Sequence, residues 1–202
     1  MTIEEIDLYW MKAEDLAKYL PEGGCNGARS AKELAQMLIG KKMRASDCAT
    51  IDKEMAATID GVMSVDIRLP ESDPMQQKVT EKLFEYNSPD SSSPIIVTGN
   101  SIITHQILGL VLNAAKTKAF VIPVDSMGFT YDNACAGGNI TPMQVMRALT
   151  ESGISNKASS KKMIIGGLGE SMKGNIERIT RWTVEVGPVS GYELPLYLLG
   201  KR

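Results

Sequence analysis

VDSMGFTYDNACAGGN, from Val124 to Asn139, joins an apolar strand to a long loop of small residues. Such a loop lets the backbone approach a large flat ligand closely. Directly after it, Thr141-Pro142 opens a helical pattern, with Thr141 as the N-cap and Gln144 three residues further on. The order of strand, loop and capped helix is typical of a ligand site at the carboxyl end of a strand in an open α/β sheet.

Four short apolar runs, each followed by polar or small residues and then by helical periodicity, indicate successive βα units. The runs are residues 95–98, 119–124, 163–166 and 183–187. They are apolar on both sides, which is typical of a parallel sheet covered on both faces. We therefore predict a flavodoxin-like (Rossmann-like) α/β fold with helices on both faces of a parallel sheet.

The rest of the chain divides into two further segments. Residues 1–61 carry helical spacings interrupted by glycine and proline, which predicts a small helical segment. Residues 62–92 are interpreted as a connector, and residues 93–202 as the α/β domain. Within and just beyond the connector we expect an extended stretch at 62–69, a turn at 70–74, a helix at 75–86 and a linker at 87–94.

Composition excludes several classes of protein. The chain has 202 residues, of which 43% are hydrophobic, and a net charge of -2. Scattered lysines and arginines and few aromatic residues argue against nucleic-acid binding. No run is long enough for a membrane span and the N-terminus is acidic, so a cytoplasmic protein is expected. Three cysteines argue against a disulfide framework and for a reducing compartment.

The loops after the four strands should meet at one edge of the sheet, which makes that edge the candidate ligand site. The ligand-binding candidates in these loops are Thr98, Gly99, Asn100 and Ser101; Asp125, Ser126 and Gly128; Gly166, Gly167 and Leu168; and Gly187, Pro188 and Val189. Asp125 could accept a hydrogen bond from a ligand amide or could cap its own loop.

The order and spacing of these loops resemble a known family. Residues 93–100, the 124–128 loop, residues 134–138, the strand at 162–165 with its glycine loop, and residues 186–188 are similar to the C-terminal corrinoid-binding domain of the corrinoid iron-sulfur protein large subunit, the gamma subunit of acetyl-CoA decarbonylase/synthase. The resemblance covers about half of the chain, and no single motif in it is diagnostic. It implies a bound corrinoid such as cobalamin.

The same family carries a four-cysteine iron-sulfur motif near its N-terminus. Leu20-Pro21-Glu22-Gly23-Gly24-Cys25 resembles its start and Ser46-Asp47-Cys48 its end, but Ala28 and Glu33 stand where the other two cysteines would fall. Since a four-iron four-sulfur cluster normally takes four thiolates, we expect no cluster here. The alternative is a cluster completed by a partner or shared across a dimer.

The resemblance also places one residue beneath cobalt. An ungapped alignment puts Asn133 there, and a gap of two residues puts Cys135 there, as in the Cys-Ala-Ala-Gly-Lys stretch of a mercury-methylating corrinoid protein. Ala134, Ala136 and Gly137 join the candidate set with them. Cys135 could also be a small packing residue. His105, the one histidine, lacks the Asp-x-His-x-x-Gly context of a cobalt ligand, so a helix histidine with a local hydrogen bond is favoured.

The resemblance implies a methyl carrier in anaerobic one-carbon metabolism, which accepts and donates a methyl group on cobalt held base-off. Its partners would be methyltransferases, together with a capping subunit or a second copy of the chain. On this reading the chain is a component of a methyltransferase system rather than a complete enzyme. The alternatives are a flavin- or nucleotide-binding enzyme on the same fold, and a regulatory or activator partner of a corrinoid methyltransferase.

Overall fold

A five-stranded sheet forms the centre of the molecule in a computed structural model that describes residues 11–66 and 73–201. Strands β2 (Ile95–Gly99), β3 (Ala119–Val124), β4 (Lys162–Ile165) and β5 (Thr183–Val186) run parallel, and β1 (Phe84–Tyr86) pairs antiparallel with β3. The spatial order is β1-β3-β2-β4-β5. All four predicted strands are therefore present, and the predicted α/β class is confirmed.

Helices cover both faces of the sheet, as the apolar strands predicted. Helices α4 (Ile102–Ala114) and α8 (Leu194–Leu199) bury Ile96 and Val121 on one face. Helices α6 (Pro142–Glu151) and α7 (Lys173–Thr180) pack against the opposite face. Within the described residues, no helix combines the length and apolar character needed to cross a membrane.

The cap predicted for α6 is confirmed. The Thr141 hydroxyl accepts a hydrogen bond from the Gln144 backbone N–H at 3.3 Å, and the Gln144 side chain accepts one from the Thr141 N–H at 2.7 Å. The Gln144 amide also donates to the Asp125 carbonyl at 2.9 Å. This capping box satisfies helix N–H groups and attaches the start of α6 to the end of β3.

The N-terminal helices α1 (Ala13–Ala17), α2 (Ala31–Ile39) and α3 (Lys53–Ser64) pack on the outer side of α4 and α8. Leu34 and Ile59 share one hydrophobic core with Ile107 of α4. The helical segment is thus in direct contact with the helix that follows β2. The predicted domain boundaries, which separate residues 1–61 from the α/β domain at 93–202, stay a prediction. Residues 1–10 of the predicted helical segment lie outside the described residues.

The helix predicted at 75–86 is wrong, because this segment forms a strap and a strand. The strap, residues 73–80, runs across the carboxyl edge of the sheet. The Val79 N–H donates to the Asn100 carbonyl at 2.9 Å, and the Ile102 N–H donates to the Gln77 carbonyl at 3.0 Å. Pairing with a distant loop overrides helix propensity here. Residues 84–86, assigned to the connector, form β1; the stretch 67–72, which includes part of the predicted turn, lies outside the described residues.

Cys25 and Cys48 form a disulfide bond, contrary to the sequence-based expectation. Their Cα atoms are 5.9 Å apart, which is normal for a disulfide. The number of cysteines argues only against a framework of several disulfides, as found in small secreted proteins. It does not exclude a single bond, and the turns after α1 and before α3 bring this one pair of cysteines together. The bond closes the helical segment between α1 and α3.

Reduction of this disulfide should destabilise the helical segment. The bond joins residues 23 positions apart, and the chain-entropy model assigns a loop of that size about 3 kcal/mol of unfolding free energy. Denaturant unfolding with and without a reductant measures the effect. The Cys25→Ser/Cys48→Ser variant is the control, because its stability should not respond to reductant; an unchanged wild-type protein on reduction would contradict the expectation.

Candidate functional site

A cleft opens at the carboxyl edge of the sheet, where β2 lies between β3 and β4. Chain connections leave β2 and β4 in opposite directions at this point, which is where open α/β sheets bind ligands. The cleft has a volume of about 70 Å³ and continues between the sheet and helices α4 and α8. It is lined by Ile96, Val97, Thr98, Thr104, Ile107, Leu108, Tyr131, Asp132, Ile164, Ile165, Gly166, Gly187, Pro188, Val189, Ser190, Gly191 and Leu194.

Five of the predicted site residues line this cleft. Thr98 comes from β2, Gly166 follows β4, and Gly187, Pro188 and Val189 follow β5. Val189 is 58% exposed at the mouth. Three of the four predicted loops thus meet around one mainly apolar opening.

Tyr131 explains the glycines of the loop after β4. A Cβ atom at Gly166 would lie 2.7 Å from Tyr131 Cε1, and one at Gly169 would lie 2.2 Å from the Tyr131 hydroxyl oxygen. The Tyr131 hydroxyl also donates to the Gly166 carbonyl at 3.4 Å. Gly167 packs against Val189, and the side chain of Leu168 is 48% exposed. Gly166 and Gly169 thus leave room for the Tyr131 ring in the cleft wall.

The loop after β3 lies beside the cleft and is held by Asn100. Asn100 Oδ1 accepts hydrogen bonds from the N–H and hydroxyl of Ser126, at 3.0 and 2.9 Å, and from the Gly128 N–H at 3.1 Å. Asp125 Oδ1 accepts bonds from Met127 N–H at 3.0 Å and from the Asn100 amide at 3.2 Å. Asp125 therefore caps its own loop, and the first of these bonds is the main cause of the lowered pKa of its carboxyl.

The strap covers this half of the edge. Gly128 has a φ of +83°, and a Cβ atom there would lie 2.0 Å from the Gln76 carbonyl oxygen. Lys78 Nζ lies 3.5 Å from Asp125 Oδ1. Consequently Asn100, Ser126 and Gly128 join two loops to the strap and do not line the cleft. Gly99 likewise packs against Ser126, and Ser101 is fully buried.

Helix α5 (Tyr131–Ala136) turns a different side toward the cleft than the alignments implied. Tyr131 and Asp132 line the cleft, whereas Asn133 is exposed outside it. Ala134 is buried in the core of the other sheet face, and Ala136 and Gly137 are exposed. Cys135 is half-buried beside Tyr131, and burial raises the pKa of its thiol, which favours the protonated form.

His105 is buried in α4 and holds the end of β2. Its Nε2 lies 2.9 Å from the Gly99 carbonyl oxygen, so that nitrogen carries the proton and donates. The ring stacks on Phe84 of β1 with 4.6 Å between centroids. The favoured interpretation, a helix histidine with a local hydrogen bond, agrees with this geometry.

His105 should make the protein less stable in mild acid. Burial lowers the pKa of His105 from 6.5 to about 4, against smaller opposing effects of the Gly99 bond and Glu81. Between the pKa of the folded state and that of the unfolded state, the unfolded chain binds more protons than the folded one. The unfolding free energy should therefore rise with pH over this range, by about 3 kcal/mol in total.

Denaturant unfolding of wild type and His105→Gln between pH 4 and 7 measures this contribution. Glutamine keeps an amide donor near the Gly99 carbonyl but does not titrate. Wild type should therefore lose more stability than the variant as the pH falls. Equal losses, or an NMR titration of the one histidine near 6.5, would show that the ring is not buried as described.

Sequence reasoning missed most of the inner wall. Thr104 lies three residues after Ser101 on the first turn of α4, and that spacing could have indicated it. Its hydroxyl oxygen is buried and has no hydrogen-bond partner among the described residues. Leu194 was missed because α8 was not predicted. Ser190 directly follows the predicted residue Val189 in the loop after β5, but it was not included among the candidates. Tyr131 and Asp132 stood inside the stretch 124–139, but they were interpreted as ordinary loop residues.

Comparisons with known proteins agree with this architecture. Residues 50–198 match the family described as CO dehydrogenase/acetyl-CoA synthase delta subunit. The chain is 30% identical over 128 residues to the acetyl-CoA decarbonylase/synthase complex subunit gamma of Methanopyrus kandleri, covering 63% of this chain and 28% of that protein. The corresponding Methanothermobacter thermautotrophicus subunit is 33% identical over 122 residues, covering 60% of this chain and 27% of that protein.

A third relative carries the name predicted from the loops. The corrinoid/iron-sulfur protein large subunit of Moorella thermoacetica is 29% identical over 111 residues, which cover 55% of this chain and 25% of that protein. The chain therefore matches only about a quarter of the length of these relatives. Since the family match extends over more than half of the chain and includes every strand of the parallel sheet, the chain belongs to the CO dehydrogenase/acetyl-CoA synthase delta subunit family.

Proposed function

We propose that this chain binds a corrinoid, such as cobalamin, at the cleft and acts as a methyl-carrier protein in anaerobic one-carbon metabolism. The observation that carries the proposal is the mainly apolar cleft at the point where β2 and β4 diverge, in a chain whose relatives include a corrinoid/iron-sulfur protein. A bound corrinoid supplies a cobalt centre whose reduced state accepts a methyl group and passes it to an acceptor. The chain's own residues bind and position that group.

The residues of the cleft fit a largely apolar ligand with a few polar groups. Apolar side chains from β2, β4, α4 and α8 form the inner wall. Thr98, Thr104 and Ser190 supply hydroxyl groups there. Pockets of this kind fix a ligand's orientation with a few polar groups on an apolar wall.

The buried hydroxyl of Thr104 is a specific sign of a missing ligand group. A buried hydroxyl without a partner costs about 1–3 kcal/mol, so a partner supplied by a ligand would recover that free energy. Thr104 belongs to the cleft wall, where an amide carbonyl or phosphate oxygen of a ligand could accept a hydrogen bond from its hydroxyl.

The Thr104→Val substitution should therefore separate stability from binding. Valine keeps the shape and removes the unpaired hydroxyl, so the unfolding free energy should stay the same or rise by up to about 1 kcal/mol, while cobalamin should bind about tenfold more weakly. Thr150→Val on the exposed side of α6 is the control for both measurements. Equal cobalamin affinities in the two variants would show that Thr104 does not take part in binding.

The cleft supports the proposal that cobalt is held base-off without a strong protein ligand below it. Among the described residues that line the cleft there is no histidine, cysteine or methionine. His105 is engaged with Gly99 and Phe84, and Cys135 lies beside Tyr131 with a protonated thiol. Asn133 is exposed outside the cleft, so neither aligned residue is favoured as the lower-face group.

Most of a corrinoid would remain outside a cleft of about 70 Å³. Val189, at its mouth, is 58% exposed, and Leu168, in the loop after β4, is 48% exposed. We propose that a capping subunit or a second copy of the chain covers this face, and that methyltransferases approach it in turn. The names of the relatives, which are subunits of a complex, support a role with protein partners.

The test is to add cobalamin to the purified protein without oxygen and to record absorbance spectra of the oxidised and reduced forms. We expect a one-to-one complex with the spectrum of a base-off corrinoid. Failure to bind in both forms overturns the proposal. A bound flavin would instead favour the flavin enzyme, and a stable complex with a methyltransferase but no cofactor would favour the regulatory partner.

A further inference from the structure

The two cysteines of the disulfide differ in exposure. Cys25 is partly exposed in the turn after α1, whereas Cys48 is 2% exposed. Cβ atoms at Gly23 and Gly27 would meet nothing within 4 Å, so the chain on both sides of Cys25 leaves open space. Cys48 lines a cavity beside α3, but little of its side chain is accessible there. An external thiol therefore has access to the bond from the side of Cys25.

The surroundings of Cys48 suit a sulfur that leaves the bond. Cys48 Sγ lies 3.1 Å from the Thr50 hydroxyl oxygen. When the S–S bond breaks, that hydroxyl can donate a hydrogen bond to the thiolate that Cys48 becomes. Thiol–disulfide exchange depends on access to the attacked sulfur and on the leaving thiolate. Exposure and hydrogen bonding thus favour Cys25 as the attacked sulfur and Cys48 as the leaving one.

A hydrogen bond beside the disulfide holds the two turns together. The Asn26 side chain donates to the Asp47 carbonyl at 2.7 Å, and these two residues are the chain neighbours of Cys25 and Cys48. Reduction of the disulfide breaks no part of this hydrogen bond. The two thiols would therefore stay close together after reduction, which favours re-formation of the disulfide over a lasting bond to another molecule.

The disulfide also fixes the entry to α3. Cys48 stands just before Asp52, the N-cap of α3, and the Ile51 N–H donates to the Cys48 carbonyl at 3.2 Å. Cys48, Ile51 and Ile59 belong to the core that includes Ile107 of α4. Opening of the disulfide should therefore loosen the start of the helix that packs on α4.

We propose that Cys25 and Cys48 form a redox-active pair, in which Cys25 exchanges with external thiols and disulfides and Cys48 resolves the mixed disulfide. The thiolate of an external dithiol attacks Cys25 Sγ, the bond to Cys48 breaks, and Cys48 leaves as a thiolate that takes up a proton. The second thiol of the reductant then displaces Cys25 and closes the reductant's own disulfide, so that two electrons pass to the protein. The reverse sequence oxidises the pair. It is thereby a redox switch for the order of α3, independent of the proposed corrinoid site.

The first test follows reduction of the folded wild-type protein by dithiothreitol, with alkylation and peptide mapping to count the bonds that remain. A redox-active pair is reduced without unfolding, so the rate should rise in proportion to dithiothreitol and change less than about twofold in mild denaturant. A bond that only supports the fold is reached after opening of the structure, and its reduction would accelerate steeply with denaturant. That result would overturn the inference.

Cys48→Ser and Cys25→Ser are matched variants that each keep one thiol of the pair. After incubation with glutathione disulfide, Cys48→Ser should retain glutathione on Cys25, while the Cys48 thiol of Cys25→Ser should react at least about tenfold more slowly. Wild type, reduced first, should return to the Cys25–Cys48 disulfide and release both glutathione molecules. Peptide mapping separates these products from any on Cys135. Equal modification of the two variants, or a lasting adduct on wild type, would overturn the inference.

Hydrogen exchange tests the switch itself. The Ala56 N–H donates to the Asp52 carbonyl at 2.8 Å in the first turn of α3, and the Val145 N–H makes the equivalent bond to Thr141 in α6 at 3.1 Å. On reduction of wild type the Ala56 amide should exchange about tenfold faster, and the Val145 amide should keep its rate. An equal change at the two amides, or no change at Ala56, would show that the pair does not control α3.

Discussion

Replacing Gly61 by alanine is expected to lower the unfolding free energy by about 2 kcal/mol, although alanine is the better helix former. Gly61 lies inside α3, and a Cβ atom there would be 2.4 Å from the Ala114 carbonyl oxygen and 3.1 Å from the Ala115 Cα atom. These are backbone atoms at the end of α4, which cannot rotate away. The two helices must separate, and such overpacking typically costs about 1–3 kcal/mol.

Gly174 provides the matched control for this substitution. It also lies in a helix, α7, but a Cβ atom there would meet nothing within 4 Å. Gly174→Ala should therefore raise the unfolding free energy by about 0.5–1 kcal/mol through helix propensity alone. The same chemical change should thus have opposite signs at the two positions in denaturant unfolding; two stabilising results would contradict the close contact of α3 and α4.

The consequence of Gly61→Ala should extend to the cleft. Helix α4 carries Thr104, Ile107 and Leu108 in the cleft wall, while its other side packs against α3. A shift of α4 away from α3 would move that wall. In the proposed carrier, cobalamin should accordingly bind Gly61→Ala more weakly than Gly174→Ala, as measured at a temperature where both variants are folded.

Local patterns predicted the elements whose structure depends on local interactions. The apolar runs around Ile96 and Val121 indicated buried parallel strands, because both faces of those strands are covered. The cap at Thr141 was predicted from three residues, since a capping box is a contact between neighbours in sequence. The edge at which the site lies followed from the parallel order alone.

The strap and the disulfide could not be predicted in this way, because distant parts of the chain determine them. The strap has helix-forming composition, yet its backbone groups pair with Asn100 and Ile102, more than twenty residues away. Cys25 and Cys48 meet because three helices bring their turns together. In each case the sequence contains the residues that interact, but it does not indicate which distant residues they contact.

The site itself was predicted only in part for the same reason. Thr98 lies near the end of β2, and Gly166 and Gly187 follow β4 and β5, so strand order places the three residues together. The inner wall also needs Leu194 of α8, a helix too short to give a clear periodic signal. In α5, the two alignments gave Asn133 or Cys135 as the residue that faces the ligand. The structure instead places Tyr131 and Asp132 in the cleft wall.

Gly169→Ala is expected to destabilise the protein by about 1–3 kcal/mol, and Tyr131→Phe is expected to restore much of that loss. A Cβ atom at Gly169 would lie 2.2 Å from the Tyr131 hydroxyl oxygen, but its next neighbours, Ile165 Cδ1 and Met172 Cε, are at 3.2 and 3.4 Å. Phenylalanine removes the one atom that collides. The two substitutions should therefore be less costly together than the sum of their separate effects.

Gly166→Ala distinguishes this contact from a general loss of packing around the ring. There a Cβ atom would lie 2.7 Å from Tyr131 Cε1 and 3.1 Å from Cδ1, which phenylalanine retains. Tyr131→Phe should thus rescue Gly169→Ala and leave Gly166→Ala destabilised. A double-mutant cycle in denaturant unfolding measures both couplings. Equal rescue at the two glycines, or rescue at neither, would mean that Tyr131 does not occupy the wall of the cleft between them.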